Sequence, residues 1–144
     1  MTGVQTCALP IFGALWASDA GTRLGDAGAD AARGKTGTVP APGASVFTYV
    51  VIPPDAEADR AGHDAARTAS AEFHVEDDGR MHRTDTIDYG VLLRGELWLE
   101  LDDGREQLLR AGDCFVQNGT RHAWHNRGSE PALMCVAMIG MARR

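Results

Sequence analysis

The sequence predicts an all-β domain with the architecture of an antiparallel sandwich or barrel. From position 72 onward, short runs of apolar, β-branched and aromatic residues alternate with turn signals. Several short strands at this spacing are typical of sandwiches and barrels. The turn signals are Arg94-Gly95, Asp102-Asp103-Gly104, Ala111-Gly112, Asn118-Gly119 and Gly128-Ser129.

Seven runs are predicted as strands, and two of them carry further information. In residues 96–101, leucines alternate with Glu96, Trp98 and Glu100, so one face is core and the other is exposed or at a contact. The run at 132–139 is apolar on both faces, as expected for a strand covered on both sides, and a homodimer interface would supply the second cover. The predicted strands are 46–52, 86–93, 96–101, 106–109, 113–116, 122–125 and 132–139.

The chain is predicted to divide into a foreign segment at 1–11, an irregular arm at 12–44 and a barrel domain at 45–144. Residues 1–11 match the translation of a common sequencing adapter, which indicates an artefact joined to a truncated gene; a genuine amino terminus is the alternative. No basic residue precedes the apolar run there, which argues against an export signal. The arm is rich in Gly, Ala, Asp and Thr, with one short strand predicted at 12–16. Residues 56–69 lack a continuous apolar stripe and form either a loop or one weakly anchored helix.

The composition disfavours some classes of binding partner and favours one cellular compartment. The formal net charge is -6, and no cluster of Lys and Arg offers the footprint that nucleic acid or an anionic membrane surface would need. No apolar run approaches the roughly 18 residues that span a bilayer. Cys114 and Cys135 lie inside apolar strand patterns, so we expect two buried, reduced side chains and a cytoplasmic protein.

The stretch HRTDTIDYGVLLRG, residues 82–95, contains a histidine and a carboxylate that could serve as metal ligands. His82, Thr84 and Asp88 share parity, so a continuous extended strand turns all three to one face. Each also has an ordinary alternative role, since His82 could lie on the surface and Asp88 could cap a turn. Asp85, of opposite parity, could orient a histidine from behind or belong to a solvated turn.

The stretch GDCFVQNGTRHAWHN, residues 112–126, contains a second candidate ligand. Parity groups His122 with Trp124 and turns His125 away from them, toward an exposed position. His122 could instead be a satisfied core histidine. Arg121, at the start of the same run, could pair with an anionic substrate or could face water.

Two imidazoles and one carboxylate that converge inside a barrel form a facial set with open coordination positions. Such a set suits Fe(II), Mn(II), Ni(II) or Zn(II). The predicted ligands of a divalent metal ion are therefore His82, Asp88 and His122. The side chains predicted to line the cavity are Thr84, Thr86 and Trp124.

Together the two stretches resemble the paired motifs of the cupin superfamily, within a similarity that covers roughly 45–140. The two histidines, acid and turn glycine of the first motif correspond in spacing to His82, Thr84, Asp88 and Gly95. The glycine, glycine, histidine and asparagine of the second motif correspond to Gly112, Gly119, His122 and Asn126.

Three positions depart from the family pattern. Thr84 replaces the second histidine, Asp88 replaces a glutamate and Gln117 replaces a proline. The change at Thr84 removes a fourth ligand, because a hydroxyl is a poor ligand beside imidazole. This hydroxyl could still hold a water molecule by hydrogen bonding.

The resemblance implies a double-stranded β-helix, the two-sheet jelly roll. It also implies a metal-dependent role on a small carbonyl or carboxylate metabolite, as an isomerase, decarboxylase, cyclase or oxygenase. The HRTDTIDYG stretch resembles a group of small single-domain cupins found near bacterial and fungal catabolic and secondary-metabolite genes. The alternative is a barrel that binds a small molecule without catalysis, because cupins serve many functions.

Overall fold

The computed structural model of this chain describes residues 12–23, 39–57, 73–75 and 81–143. Within these residues, ten strands form two antiparallel sheets of five strands each. The strands are β1 (Phe12–Ser18), β2 (Ser45–Ile52), β3 (Phe73–Val75), β4 (His82–Thr84), β5 (Thr86–Arg94), β6 (Glu96–Leu101), β7 (Glu106–Arg110), β8 (Cys114–Asn118), β9 (His122–His125) and β10 (Ala132–Gly140).

The strand order shows that the chain passes repeatedly between the two sheets. The first sheet has the order β1-β2-β10-β5-β8, and the second has the order β3-β4-β9-β6-β7. Sequence neighbours such as β4 and β5 therefore lie in different sheets. This arrangement is the double-stranded β-helix, or jelly roll, and it confirms the predicted fold class.

Apolar side chains from both sheets fill the space between them. Leu92 of the first sheet and Leu97 of the second are completely buried, at 0% exposure. Burial of a large apolar side chain stabilises a fold by about 1.5–3 kcal/mol, so this cluster supplies much of the stability. The cluster consists of Val50, Leu92, Leu97, Leu99, Leu109, Ala132, Met134 and Val136.

The seven predicted strands are all present, and they differ from prediction mainly at their ends. β6 and β9 have the predicted bounds, whereas β10 continues to Gly140. β1 lies within the predicted arm, extends beyond the predicted 12–16 and adds an edge strand to the first sheet. β3 has no counterpart among the predicted strands. The predicted foreign segment 1–11 and most of 56–69 lie outside the described residues.

The chain crosses from the second sheet to the first at Asp85. β4 ends at Thr84 and β5 begins at Thr86, with a bend between them. The continuous strand assumed from His82 to Asp88 is therefore not formed. Thr84 and Thr86 are nonetheless both buried, and their hydroxyl oxygens lie 2.7 Å apart. The side chains on both sides of the bend thus face the interior.

The outer face of the second sheet carries the charges predicted for it. In β6, the leucines at its second and fourth positions are buried, while Glu96 and Trp98 are more exposed. The guanidinium of Arg127 lies 5.0 Å from the centre of the Trp98 ring, which is a cation–π contact. Trp98 is therefore partly covered by its own chain.

The outer face of the first sheet is apolar. Strand register aligns Phe47, Ala137, Tyr89 and Val116 in one row across β2, β10, β5 and β8. The exposed fractions of Phe47, Tyr89 and Val116 are 44%, 51% and 62%. Because the described residues leave this row in contact with solvent, they do not supply the predicted second cover of β10.

Two predictions made from composition can be compared with the structure. Cys114 and Cys135 are both free. The prediction that both are buried is wrong, since Cys135 is half-buried and Cys114 is exposed on the edge strand β8. Among the described residues, no helix combines the length and the apolarity that a membrane crossing requires.

Candidate metal centre

Two histidines lie side by side on the second sheet. His82 of β4 and His122 of β9 are direct partners in the strand register. Directly opposed residues on antiparallel strands point to the same face, so their side chains meet. The ring centroids are 4.4 Å apart and the ring planes are inclined by 54°. The structure thus brings together the two imidazoles that the sequence analysis paired.

His122 is held in the form that binds a metal ion. Its side chain is nearly inaccessible, and its Nδ1 lies 2.9 Å from the carbonyl oxygen of Thr120. A carbonyl only accepts hydrogen bonds, so Nδ1 donates and Nε2 keeps its lone pair. Burial, assisted by the nearby charge of His82, lowers the pKa of His122 to about 4. The imidazole is therefore neutral at pH 7, as a ligand must be.

Asp88 lies on β5 of the first sheet and is 6% exposed. Burial raises its pKa to about 6, while hydrogen bonds from Thr86 and Thr84 act in the opposite direction. Its Oδ1 is buried and has no hydrogen-bond partner among the residues that the structure describes. Such an atom is costly to bury, and a bound cation would satisfy it. The donor types present, two imidazoles on one sheet and a carboxylate on the other, are those that a divalent ion takes, although the ligand atoms of the three residues do not all lie within 4.8 Å of one another.

The three side chains predicted to line a cavity lie next to these groups. Thr84 and Thr86 are buried at 5% and 2% exposure, and both contact the Asp88 carboxyl group. Trp124 of β9 is half-buried, with its ring centroid 5.7 Å from that of His122. Thr84, at the position of the absent second motif histidine, therefore orients the carboxylate.

Asn126 fixes the end of the strand that carries His122. Its Nδ2 donates to the carbonyl oxygens of Ile52 and Glu130, each at 2.9 Å, and its Oδ1 accepts from the backbone of Gly128 at 3.0 Å. The side chain is 2% exposed. The motif asparagine therefore serves as a structural tie between β9, the end of β2 and the loop before β10.

A second group of ligand-type side chains lies on the outer face of the second sheet, and the sequence analysis did not predict it. The ligand atoms of Glu100, Glu106 and His125 all lie within 4.8 Å of one another. Nε2 of His125 is 2.7 Å from Glu100, and its Nδ1 is 3.8 Å from Asp55. Arg127 forms a two-pronged ion pair with Glu106. Because Arg127 already neutralises Glu106, we interpret this group as an ion-pair network.

His125 corrects one expectation of the sequence analysis. It does point away from His122, as parity predicts, but its side chain is only 13% exposed. Asp55 and Glu100 cover it. Parity gives the face of a strand but not what packs on that face, so this covering had no signal in the sequence.

Asp85 and Arg121 have partners other than those considered from sequence. Asp85 lies 3.4 Å from Nε2 of His74 and 2.6 Å from Nε of Arg143, and the hydrogen bond from Arg143 lowers the pKa of Asp85. The histidine that Asp85 meets is therefore His74 rather than a candidate ligand. Arg121 donates to Asp102 at 2.7 Å, so its guanidinium is held at the surface.

Comparisons with known proteins agree with this fold. Residues 70–138 match the family model described as Cupin domain. Phomopsin biosynthesis cluster protein D of Diaporthe leptostromiformis is 57% identical over 47 residues, which are 33% of this chain and 25% of that protein. The cupin-domain-containing oxidoreductase virC of Hypocrea virens is 46% identical over 62 residues, which are 41% of this chain and 32% of that protein. The chain thus spans only about a quarter to a third of these curated relatives.

The solved structures that are similar to this chain have low sequence identity to it. An RmlC-like cupin family protein of Methanocaldococcus jannaschii has a TM-score of 0.45 and 13% identity, over 67% of this chain and 70% of that one. A predicted oxalate decarboxylase of Thermotoga maritima has a TM-score of 0.42 and 18% identity, over 67% of this chain and 66% of that one. Residues 70–138 of this chain are thus similar to the Cupin domain family, and the two antiparallel sheets form the jelly roll that this similarity implies.

Proposed function

We propose that this chain is a small metal-dependent cupin that acts on a small carbonyl or carboxylate metabolite. His82, Asp88 and His122 would hold one divalent ion, either Fe(II), Mn(II), Ni(II) or Zn(II). The observation that carries the proposal is a buried Asp88 oxygen that has no partner among the described residues, on the sheet opposite the one that carries His122, a neutral imidazole with a free lone pair. A cation bound by both residues would satisfy both groups.

The residues around the candidate metal centre orient its candidate ligands. Thr120 fixes the tautomer of His122, and Thr84 and Thr86 hold the Asp88 carboxyl group. A bound ion would supply a Lewis acid for a carbonyl or carboxylate oxygen, or a site for oxygen activation. The reaction would then be an isomerisation, decarboxylation, cyclisation or oxygenation. The relatives named oxidoreductases and biosynthesis cluster proteins support a catalytic role.

A non-catalytic barrel that binds a small molecule is the second candidate. One observation favours it, namely the threonine at position 84 where the family pattern has a second histidine. Three protein ligands hold an ion less firmly than four. Under this alternative, the buried groups would bind an organic ligand directly.

Elemental analysis of protein purified without a histidine tag tests the proposal. We expect about one divalent ion per chain in the parent and a loss of that ion in His82→Ala and His122→Ala. His125→Ala is the matched control, because it removes an imidazole from the same strand but from the opposite face. Absence of stoichiometric metal from the parent would favour the passive binding barrel.

We further propose that two copies of the chain associate through the outer face of the first sheet. The row from Phe47 to Val116 contains no charged side chain and crosses four strands, about 14–15 Å at the usual strand spacing. Exposed apolar patches of this kind usually mark interfaces. Cytoplasmic location and the absence of nucleic acid or membrane partners stay predictions from the composition.

Light scattering at tens of micromolar tests this association. We expect a dimer mass for the parent and a monomer mass for Val116→Lys, which adds a charge at the exposed edge of the row. Gln107→Lys adds the same charge on an exposed position of the second sheet and should remain dimeric. A monomeric parent would contradict the proposal.

A further inference from the structure

An aromatic pair adjoins the candidate metal centre on its inner side. Phe115 of β8 and Trp124 of β9 meet edge to face, with ring centroids 4.9 Å apart and planes inclined by 60°. Trp124 makes a second edge-to-face contact with His122, at 5.7 Å and 82°. The pair joins the two sheets, and one of its rings touches a candidate ligand.

Gly90 determines where Phe115 lies. The two residues are direct partners in the register of β5 and β8. A Cβ atom at position 90 would lie 2.0 Å from Cζ of Phe115, so only glycine leaves room for the ring over the strand backbone. The ring of Phe115 therefore lies directly over the main chain of β5, in space that a side chain at position 90 would fill.

Solvent reaches these inward-facing rings, although the neighbouring core is closed. Leu92 and Leu97 are completely buried, whereas Phe115 and Trp124 keep intermediate exposure. Aromatic surface that faces inward and still meets water can bury the apolar part of a bound molecule. The partly buried apolar side chains packed against the core are Ile52, Leu101, Phe115, Trp124 and Met138.

No cationic side chain accompanies the aromatic pair among the inward-facing residues that the structure describes. The polar groups there are imidazole, hydroxyl, amide and carboxyl, from His82, Thr84, Asp88, Gln117 and His122. Arg121 and Arg143 are bound at the surface by Asp102 and Asp85. A second anionic group on a ligand would therefore have no cationic partner among these residues, which is unfavourable.

We propose that the ligand of this barrel has one polar head at the candidate metal centre and a neutral, flat apolar tail that lies against Phe115 and Trp124. The position of the polar head rests on the proposed function. The inference adds to it the chemical class of the substrate. A tail with an aromatic ring fits, whereas dicarboxylates and sugar phosphates do not.

Two 2-oxo acids with the same head and different tails test the proposal in the full chain. Phenylpyruvate ends in a phenyl ring and 2-oxoglutarate ends in a carboxylate. By isothermal titration of the Zn²⁺-loaded protein, we expect phenylpyruvate to bind at least tenfold more tightly. Equal affinities, tighter binding of 2-oxoglutarate, or binding of neither compound would overturn the proposal.

Substitutions of Phe115 and Trp124 test whether the aromatic pair causes the preference for phenylpyruvate. Trp124→Leu and Phe115→Leu should each reduce the preference for the phenyl tail about fivefold or more, and Trp124→Phe, which retains an aromatic ring, should retain most of it. Trp98→Leu removes a tryptophan from the outer face of the second sheet and should leave the preference unchanged. An unchanged preference in both leucine variants of the pair would contradict the assignment.

The same titrations in chelator-treated protein separate this inference from the proposed function. Because the tail contacts protein side chains only, the preference for phenylpyruvate should persist there, although both affinities fall. Equal affinities with and without Zn²⁺ would count against the metal-dependent function and leave the tail assignment standing. Loss of the preference with Zn²⁺ bound would count against the tail assignment alone.

Discussion

His122 and His125 lie on the same strand, three residues apart, in opposite surroundings. His122 points inward and is 4% exposed, and within the described part of the chain its hydrogen-bond partner is a backbone carbonyl. His125 points outward and has a carboxylate beside each ring nitrogen, from Glu100 and Asp55. Strand alternation alone thus separates an imidazole suited to a metal ion from one that lies between two carboxyl groups.

The inward histidine and the carboxyl group of Asp88 respond to acid in opposite directions. The pKa of His122 is lowered from 6.5 to about 4, so the unfolded chain takes up the proton first and this contribution to stability is lost as pH falls from 6.5 to 4. The pKa of Asp88 is raised from 3.8 to about 6, so the folded chain takes up the proton first and stability is gained as pH falls from 6 to 3.8. Each shift corresponds to about 3 kcal/mol, and the two offset each other in the metal-free parent.

Replacement of the Asp88 carboxylate removes one of the two opposing contributions and gives the largest expected change in the free energy of unfolding. We expect metal-free Asp88→Asn to be more stable than the parent by up to about 3 kcal/mol at pH 7, because no charge is then buried, and to lose that advantage by pH 4. Urea unfolding at both pH values measures the difference. Asp103→Asn, at an exposed turn, should follow the parent, and a constant difference between Asp88→Asn and the parent would contradict the prediction.

The effect of a chelator on Tm should distinguish the two faces of β9. An ion present at a hundredfold over its Kd adds about 2.7 kcal/mol to a folded state that alone binds it. For a domain of this size the gain is on the order of ten degrees in Tm. Chelator should lower the Tm of the parent and of His125→Ala by this amount and have little effect on His122→Ala. An unchanged Tm of the parent in chelator would contradict the predicted difference between His122 and His125.

The outward histidine should give the smallest effect. His125→Ala removes a 2.7 Å contact with Glu100 from a site that is partly open to solvent, so we expect a loss of about 1 kcal/mol in the free energy of unfolding. The exposed pair of Arg105 with Asp103 provides a control, since Arg105→Ala should leave stability unchanged.

The strands and their faces could be predicted from the sequence because the information is local. Alternation in β6 correctly assigned its leucines to the core, and parity correctly grouped His122 with Trp124. His82 and His122, which the motif resemblance brings together, lie on different strands and are direct partners in the strand register. Each of these statements depends on a period of two residues or on a resemblance to known motifs.

The features that the sequence did not reveal depend on contacts between distant segments. The bend at Asp85 moves the chain between sheets, yet the residues around it alternate like any single strand. The covering of His125 depends on Asp55, which reaches β9 from the segment after β2. Such partners are set by register and packing, which a pattern in one segment does not specify.

The crossing at Asp85 also bears on the order in which the protein folds. His82 and Asp88 are close in sequence but belong to different sheets, and His122 comes from a third, distant segment. Contacts between distant segments form late, because a long loop of chain must first be closed. A partly folded chain with every strand formed but the sheets undocked would therefore lack the complete ligand set. Metal uptake during refolding would report the docking of the two sheets rather than the formation of β structure.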